Sequence, residues 1–116
     1  MNPGDVCLVP FPNVEATTGK LRPVLVVASC PGTYNDVIVR MIPSRTHQAV
    51  QGVDEIIDPR HKDLRKSGLK VRSAVRIARL ATVDPAIFVG RLGGISQDRL
   101  SRIRKRLCTI FSPSAS

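Results

Sequence analysis

The residue best suited to chemistry is Arg22, which stands directly before Pro23 at the start of an apolar run. A proline restricts the preceding residue to extended backbone geometry, so the guanidinium is held where a loop meets a strand. A guanidinium presents a fixed charge and a planar fork of donors, which suits phosphates and other oxyanions. Taken alone, however, the pair fits an ordinary solvated arginine at a strand start better than a functional one.

Two histidines have the ordinary pKa needed to move protons near neutral pH. His47 lies in the polar loop 44–52 and is the better candidate for a general base, although a lone loop histidine is more often plain polar surface. His61 has less in its favour. The two histidines and three cysteines show no chelating spacing, so we expect neither a metal site nor a cofactor.

The three cysteines and the apolar runs indicate in which cellular compartment the protein is located. Cys7 and Cys30 lie in strand-like runs and Cys108 in a helical one, which predicts reduced, buried thiols. The longest apolar run, residues 24–28, is too short to cross a membrane, and no secretory signal is visible. These features together predict a cytoplasmic protein that does not bind membranes.

The positive charge is concentrated in the second half of the chain. The net charge is +9, yet residues 1–57 carry four Lys or Arg and five Asp or Glu, whereas residues 58–116 carry fourteen and four. Such a basic half attracts polyanions and releases their counterions on binding. The alternative is a solvated face that only keeps the protein in solution. Charge alone does not decide between the two.

The elements that must position these residues are mainly strands. Alternating or continuous apolar patterns predict five of them, at residues 5–11, 22–28, 37–42, 53–57 and 71–80. In the last, Arg72 and Arg76 would project from the same face because strand side chains alternate. Residues 60–70 are expected to be irregular or one short helical turn, and Gly90, Gly93 and Gly94 to mark a loop.

Two helices are predicted after these strands. Thr82 or Asp84 can cap a short helix that begins at Pro85, and Ser96 stands where the last helix, roughly 97–110, needs its N-cap. One face of that helix carries the apolar residues expected to meet the core, which are Leu100, Ile103, Leu107, Ile110 and Phe111. The basic residues Arg102, Arg104, Lys105 and Arg106 are expected to be mostly a solvated face.

Together these elements predict one α+β, mainly β domain over residues 1–111, with a frayed tail at 112–116. Its core would be a small, strongly curved antiparallel sheet or partial barrel, closed by a C-terminal helix.

Five stretches across this domain carry a family resemblance when they are taken in order. They are residues 4–6, 20–26, 35–39 with 42–44, 75–84 and 91–93, with the sequences GDV, KLRPVLV, NDVIV with IPS, VRIARLATVD and RLG. No single stretch is specific, but in this order and spacing they resemble the MazF/PemK toxins over essentially the whole chain. The resemblance implies an SH3-like barrel with a helix, shared with gyrase poisons of the CcdB type.

The same resemblance implies the activity and the partners. It indicates a toxin of a type II toxin–antitoxin system, a homodimer that cuts single-stranded RNA, and mRNA in particular, at short motifs without a metal. A labile antitoxin would neutralise it by occupying the RNA groove. The adjacent 2′-hydroxyl would attack the phosphorus, leaving a 2′,3′-cyclic phosphate and a 5′-hydroxyl.

The resemblance also assigns catalytic positions, with two departures. Arg22 matches the family's catalytic arginine. The family's second group is a Thr or Ser after the third strand, where this chain has Pro43 and then Ser44; Ser44 either replaces the missing Thr or only bonds local backbone. Some members have an acid where this chain has Ala78. These departures put the rate and chemistry of cleavage in doubt.

A set of basic and polar residues is expected to contact RNA phosphates, sugars and bases. It comprises Lys20, Tyr34, Arg45, Lys70, Arg72, Ser73, Arg76 and Arg79. Two other functions stay open, a non-enzymatic toxin such as a gyrase poison and a catalytically weakened RNA-binding protein, because the scaffold supports more than one activity.

Overall fold

The computed structural model describes residues 2–10, 21–32, 35–42, 54–58, 62–70, 72–76 and 80–112. Within these ranges the chain forms seven strands: β1 (Asp5–Pro10), β2 (Leu21–Ser29), β3 (Val37–Met41), β4 (Glu55–Ile57), β5 (Ser73–Val75), β6 (Leu80–Val83) and β7 (Gly90–Gly94). One α-helix, α1 (Gln97–Phe111), follows the last strand. The 3-10 helices Lys62–Ser67 and Pro85–Ile87 lie between strands.

Five strands form an antiparallel sheet in the order β6-β3-β2-β1-β7, and β4 pairs with β5 in a second, two-stranded sheet. The predicted mainly β architecture with a C-terminal helix is therefore confirmed. The apolar run of β2 lies in the middle of the sheet, and residues 24–27 are all buried. Strands with continuous apolar sequence are typical of positions covered on both faces.

The sheet has an apolar core on each face. One cluster is centred on Val6, Leu25 and Val27, and it extends to β4, β5 and α1 through Ile57, Val75 and Leu100. The other consists of Cys7, Val9, Val24, Val26, Val37 and Val39, against which Ala81, Val83 and Phe88 pack. The alternation along β1 and β2 sends successive side chains to opposite faces, so both strands contribute to both cores.

One strand prediction and one loop prediction were wrong. Residues 71–80 do not form one strand: β5 ends at Val75 and pairs with β4, whereas Leu80 begins β6 beside β3. Between them the backbone N–H of Arg76 donates to the carbonyl of Met41, which draws the chain out of the β4–β5 ladder. The predicted loop at Gly90, Gly93 and Gly94 is instead β7, which pairs with β1 across a register shift.

The helical predictions hold except at the end of α1. The Ser96 hydroxyl accepts a hydrogen bond from the backbone N–H of Arg99, as an N-cap should, and Asp84 caps Pro85–Ile87 in the same way. Leu100 and Ile103 are buried, but Ile110 and Phe111 are exposed, so the predicted core stripe was wrong for those two.

The cysteines agree only partly with the prediction. All three are free, and Cys7 is buried between sheet strands, where burial raises the pKa of its thiol. Cys30 is only half-buried, and Cys108 is exposed on the outer side of α1. The prediction of buried thiols was therefore wrong for Cys108, because that position lies off the apolar stripe of the helix.

Two glycines let β7 approach the 3-10 helix Lys62–Ser67 closely. A Cβ at Gly93 would collide with the carbonyl oxygen of Lys66, and Gly68 has a φ of +75° in which a Cβ would meet the carbonyl of Leu92. Both contacts are with backbone, which cannot move aside as a flexible side chain can. Gly93 in β7 therefore serves close packing rather than a turn.

We expect Gly93→Ala to lower the free energy of unfolding by about 1–3 kcal/mol, because the added methyl group must push two backbone segments apart. Gly90→Ala is the matched control, since a Cβ at that position of the same strand meets nothing within 4 Å. Urea denaturation of both variants measures the difference. Equal losses for the two would contradict the close-packing argument.

Candidate nucleic-acid interface

Arg22 lies near the start of β2, where its Cα is paired with that of Val9, and its side chain is half-buried. It lines a cleft of about 450 Å³. The other lining residues are Leu8, Leu21, Pro23, Met41, Ile42, Gly68, Leu69, Lys70, Ser73 and Leu92. The cleft therefore has mostly aliphatic walls, with two cations and a hydroxyl among the groups that line it.

Lys70 and Ser73 are the other two predicted site residues that the cleft brings to Arg22. Lys70 follows a tight turn in which the backbone N–H of Leu69 donates to the Ser67 hydroxyl, at 3.2 Å, and Leu69 is buried in the core. That anchored turn leaves Lys70 exposed at the cleft. Ser73 begins β5 and is almost fully buried. It therefore helps to form the cleft but offers very little of its side chain to a ligand.

Backbone hydrogen bonds tie the segments around the cleft together. The N–H of Ile42 donates to the carbonyl of Pro23 at 3.2 Å, which fixes the end of β3 against the residue after Arg22. The N–H of Arg76 donates to the carbonyl of Met41 at 3.1 Å, which fixes the exit of β5 to the same place. The backbone next to Arg22 is therefore fixed to the end of β3, which is in turn fixed to the residue after β5.

The cleft suits an anion at the level of simple electrostatics. Arg22 and Lys70 contribute positive charge, and among the described lining residues there is no carboxylate. Nor does the described structure give Arg22 an ion pair with an internal acid. A guanidinium that lines a partly apolar cleft interacts more strongly with an anion than one in open water, because the local dielectric is lower.

Arg72 and Arg76 do not form the common strand face that the sequence predicted. Arg72 precedes β5 and is exposed, and it has an interaction partner within the protein. Arg76 follows β5, and its Nε lies 2.9 Å from the Asp54 carboxylate, with 18% of the Arg76 side chain exposed and 3% of the Asp54 side chain. In this state Arg76 is paired internally rather than presented freely to solvent.

Sequence reasoning missed Arg40, the largest fully buried side chain that carries a charge. Its Nη1 lies 3.5 Å from the carbonyl oxygen of Arg76, while Nε and Nη2 are buried and have no partner among the described residues. Burial lowers the pKa of this guanidinium to about 10, against the raising effect of the Asp54 charge, so Arg40 stays protonated at neutral pH. A single arginine inside the apolar run 37–42 was the signal that could have found it.

Sequence reasoning also missed Glu55, whose buried carboxylate collects three arginines of α1. Arg99 and Arg102 reach Oε1 at 2.9 and 2.6 Å, and Arg106 reaches Oε2 at 2.8 Å. Arg104 donates through Nε and Nη2 to the carbonyl of Val27 in β2. Arg102, Arg104 and Lys105 are exposed, as the predicted solvated face requires, but Arg102, Arg104 and Arg106 also fasten the helix to both sheets, which the sequence did not predict.

The remaining predicted site residues lie outside the described residues; they are Lys20, Tyr34, Ser44, Arg45, His47 and Arg79. In the ranges that are described, no group of three or more His, Cys, Asp or Glu side chains could hold a metal ion. No helix in those ranges is long and apolar enough to span a bilayer.

Comparison with known proteins now adds to this geometry. Residues 2–111 match the family described as PemK-like, MazF-like toxin of type II toxin-antitoxin system. Among solved structures, the Mycobacterium tuberculosis toxin MazF-mt6 superimposes with a TM-score of 0.61 at 18% identity, over 92% of this chain and 95% of that one. At that identity the likeness shows a common fold. A search of curated protein sequences gives no match.

Proposed function

Because this chain belongs to the PemK-like, MazF-like toxins of type II toxin–antitoxin systems, we propose that it is an endoribonuclease. It cuts single-stranded RNA selectively at short motifs. The 2′-hydroxyl next to the scissile bond attacks the phosphorus, the 5′-oxygen leaves, and the products are a 2′,3′-cyclic phosphate and a 5′-hydroxyl. The attack needs no metal ion, since the nucleophile belongs to the substrate and the protein supplies positive charge.

The observation that carries this proposal is the placement of Arg22 in the wall of a cleft, without an internal carboxylate among its described neighbours. The pentacoordinate transition state gains negative charge on the non-bridging oxygens. A guanidinium aimed at those oxygens stabilises the transition state more than the ground state, which is what accelerates a reaction. Extended geometry before Pro23 holds that guanidinium in position and lowers the cost of ordering it.

Other residues take supporting roles in the proposal. Lys70 neutralises a neighbouring phosphate at the cleft, and Arg72 extends the same basic path. Ser44 donates a hydrogen bond to the scissile phosphate in place of the missing Thr, and His47 is the candidate general base. The remaining contacts to sugars and bases fall to Lys20, Tyr34, Arg45 and Arg79.

The proposed setting follows from the family. The protein acts in the cytoplasm as a homodimer, its substrate is mRNA, and a cognate antitoxin neutralises it by occupying the RNA groove. An acidic antitoxin segment suits the cleft on simple grounds, since its carboxylates would meet Arg22 and Lys70 and its apolar side chains the aliphatic walls.

One assay separates this activity from the alternatives. Purified protein is incubated with a long single-stranded RNA in excess EDTA, and the fragment ends are mapped. Discrete cuts that carry cyclic phosphates support the proposal. Intact RNA together with blocked gyrase would identify a gyrase poison, and intact RNA with salt-sensitive retention would identify a binding protein, so either result overturns the nuclease.

Lys70→Ala is expected to weaken RNA binding without slowing the cutting of saturating RNA, because Lys70 meets a phosphate away from the reacting one. Loss of one contact should lower the slope of log Kd against log salt concentration by about 0.7. Lys105→Ala is the control, since it removes an exposed charge from α1. An unchanged slope for Lys70→Ala, measured by fluorescence anisotropy, would count against this role.

A further inference from the structure

Arg76 combines surface access with an internal partner. Its guanidinium is partly exposed, yet Nε is held at 2.9 Å by Asp54, whose carboxylate lies deeper in the protein. A phosphate that approached Arg76 in this state would be brought close to a second anion. Like charges at such a distance repel strongly when they are partly buried. Arg76 is therefore a weak phosphate ligand as long as Asp54 stays in place.

Arg40 lies on the inner side of the same pair and lacks an anion of its own. It is completely buried, its Nη1 faces the Arg76 carbonyl, and in the part of the chain that the structure describes its Nε and Nη2 have no partner. Unmet buried donors, especially charged ones, cost free energy until an acceptor reaches them. Arg76 lies between the two groups, since its side chain binds the Asp54 carboxylate and its carbonyl faces Arg40 Nη1, and the Asp54 charge raises the pKa of Arg40. Arg40 and Arg76 thus have the single carboxylate of Asp54 between them. A bound RNA phosphate would supply a second anion, so that each guanidinium could have one.

We propose that RNA binding exchanges an ion pair inside the protein: a backbone phosphate takes Arg76, and the Asp54 carboxylate turns to the open donors of Arg40. The inference rests on the proposed function, in that the polyanion bound at the cleft is RNA. Arg76 becomes a phosphate ligand when the nucleic acid arrives. Arg40 acts as a positioning residue that never touches RNA, because its side chain is sealed in the core.

The exchange takes place beside the reacting group. The Arg76 backbone is bonded to Met41, which lines the cleft, and the neighbouring Ile42 is bonded to Pro23, the residue after Arg22. An RNA chain that places one phosphate at Arg22 can therefore bring a neighbouring phosphate towards Arg76. Binding there pulls the substrate along the β5 side of the cleft and aligns the scissile bond.

The test is a double-mutant cycle on binding. The probe is a short single-stranded oligonucleotide whose 2′-hydroxyls are methylated, so that it binds the complete protein uncut. We expect Arg76→Ala and Arg40→Met each to weaken binding by roughly five-fold or more, and the double variant to bind no worse than Arg40→Met alone. Without Arg40, the open guanidinium donors to which Asp54 would turn are gone, so Asp54 stays with Arg76. Arg40→Met should unfold no more easily than the wild type, since it removes buried donors that lack a described partner and leaves Asp54 paired with Arg76.

Asp54→Asn gives an independent readout. Without a competing carboxylate, Arg76 should bind phosphate directly, so affinity should rise roughly five-fold or more and the salt slope should steepen by about 0.7. A purely structural Asp54 predicts the opposite, weaker binding with an unchanged slope. Lys105→Ala serves again as the charge control.

The outcomes separate the two proposals. Suppose that the wild type cuts RNA. If the losses of binding free energy in Arg76→Ala and Arg40→Met are then additive in the double variant, or if Asp54→Asn binds RNA less tightly than the wild type, the exchange is wrong and the nuclease stands. If the wild type cuts no RNA yet the cycle shows the expected coupling, the exchange stands and the nuclease is wrong. If the wild type does not bind the probe, both are wrong.

Discussion

Arg22→Ala should lose cutting activity by about 10³-fold or more while keeping the wild-type fold, since arginines that stabilise phosphoryl transition states contribute on that scale. The loss should fall on the rate at saturating RNA, and binding should change much less. Arg22 is half-buried at the cleft and has no internal ion pair among the described residues, so its removal leaves no buried charge behind. Single-turnover cleavage measures the effect directly.

Arg22→Lys refines the same prediction. A lysine keeps the charge but loses the planar fork of donors, so we expect roughly a 10²-fold loss. Lys105→Ala is the control for net charge and should cut at the wild-type rate. If Arg22→Ala cuts as fast as that control, the assignment of Arg22 is wrong; a loss confined to RNA binding would reduce it to a phosphate contact.

Glu55→Gln should lower the free energy of unfolding by about 2–3 kcal/mol, less than the cost of removing one partner from a fully buried ion pair, because water partly screens the arginines left behind. Glu55 holds Arg99, Arg102 and Arg106, and its side chain is only 8% exposed. The amide keeps the shape of the side chain but leaves three guanidiniums close together without an anion. Since whole domains are stable by only about 5–15 kcal/mol, this loss is a large share of the total and should clearly lower the melting temperature.

Asp98→Asn is the matched control for that change. Asp98 is an exposed carboxylate in the first turn of α1, where its favourable interaction with the helix dipole is worth about 0.3–1 kcal/mol. Denaturation of both variants in urea should show a several-fold larger loss for Glu55→Gln. Losses of similar size would mean that the three arginines are held by the helix itself and not by Glu55.

Local patterns predicted the elements whose partners are nearby in sequence. The apolar run of β2, the Ser96 cap and the short helix at Pro85 each carry their cause within a few residues. The strand expected at 71–80 failed because alternation cannot show that its two ends pair in different sheets. The loop prediction failed at Gly93 because its close approach to the Lys62–Ser67 helix leaves no local mark in the sequence.

The functional residues also fall into those with a local sequence signal and those without one. Arg22 could be found because Pro23 beside it fixes the backbone, and the family resemblance then gave it a role. The acids Asp54 and Glu55 could not be found, since their arginines lie far along the chain, with Glu55 and Arg99 separated by 44 residues. Long-range ion pairs depend on the tertiary fold. Arg40 was the exception that carried a signal, because a charge inside an apolar strand needs a buried explanation.

The most direct measurement uses an RNA oligonucleotide with one mapped cutting site and a second copy that lacks only the 2′-hydroxyl on the 5′ side of that bond. Both are incubated with the wild-type protein in EDTA. We expect the first RNA to be cut, and the second to be bound equally well but to stay intact at that bond. Cutting of the deoxy-substituted copy at the normal rate would mean that an outside nucleophile attacks the phosphorus, which would contradict the proposed chemistry.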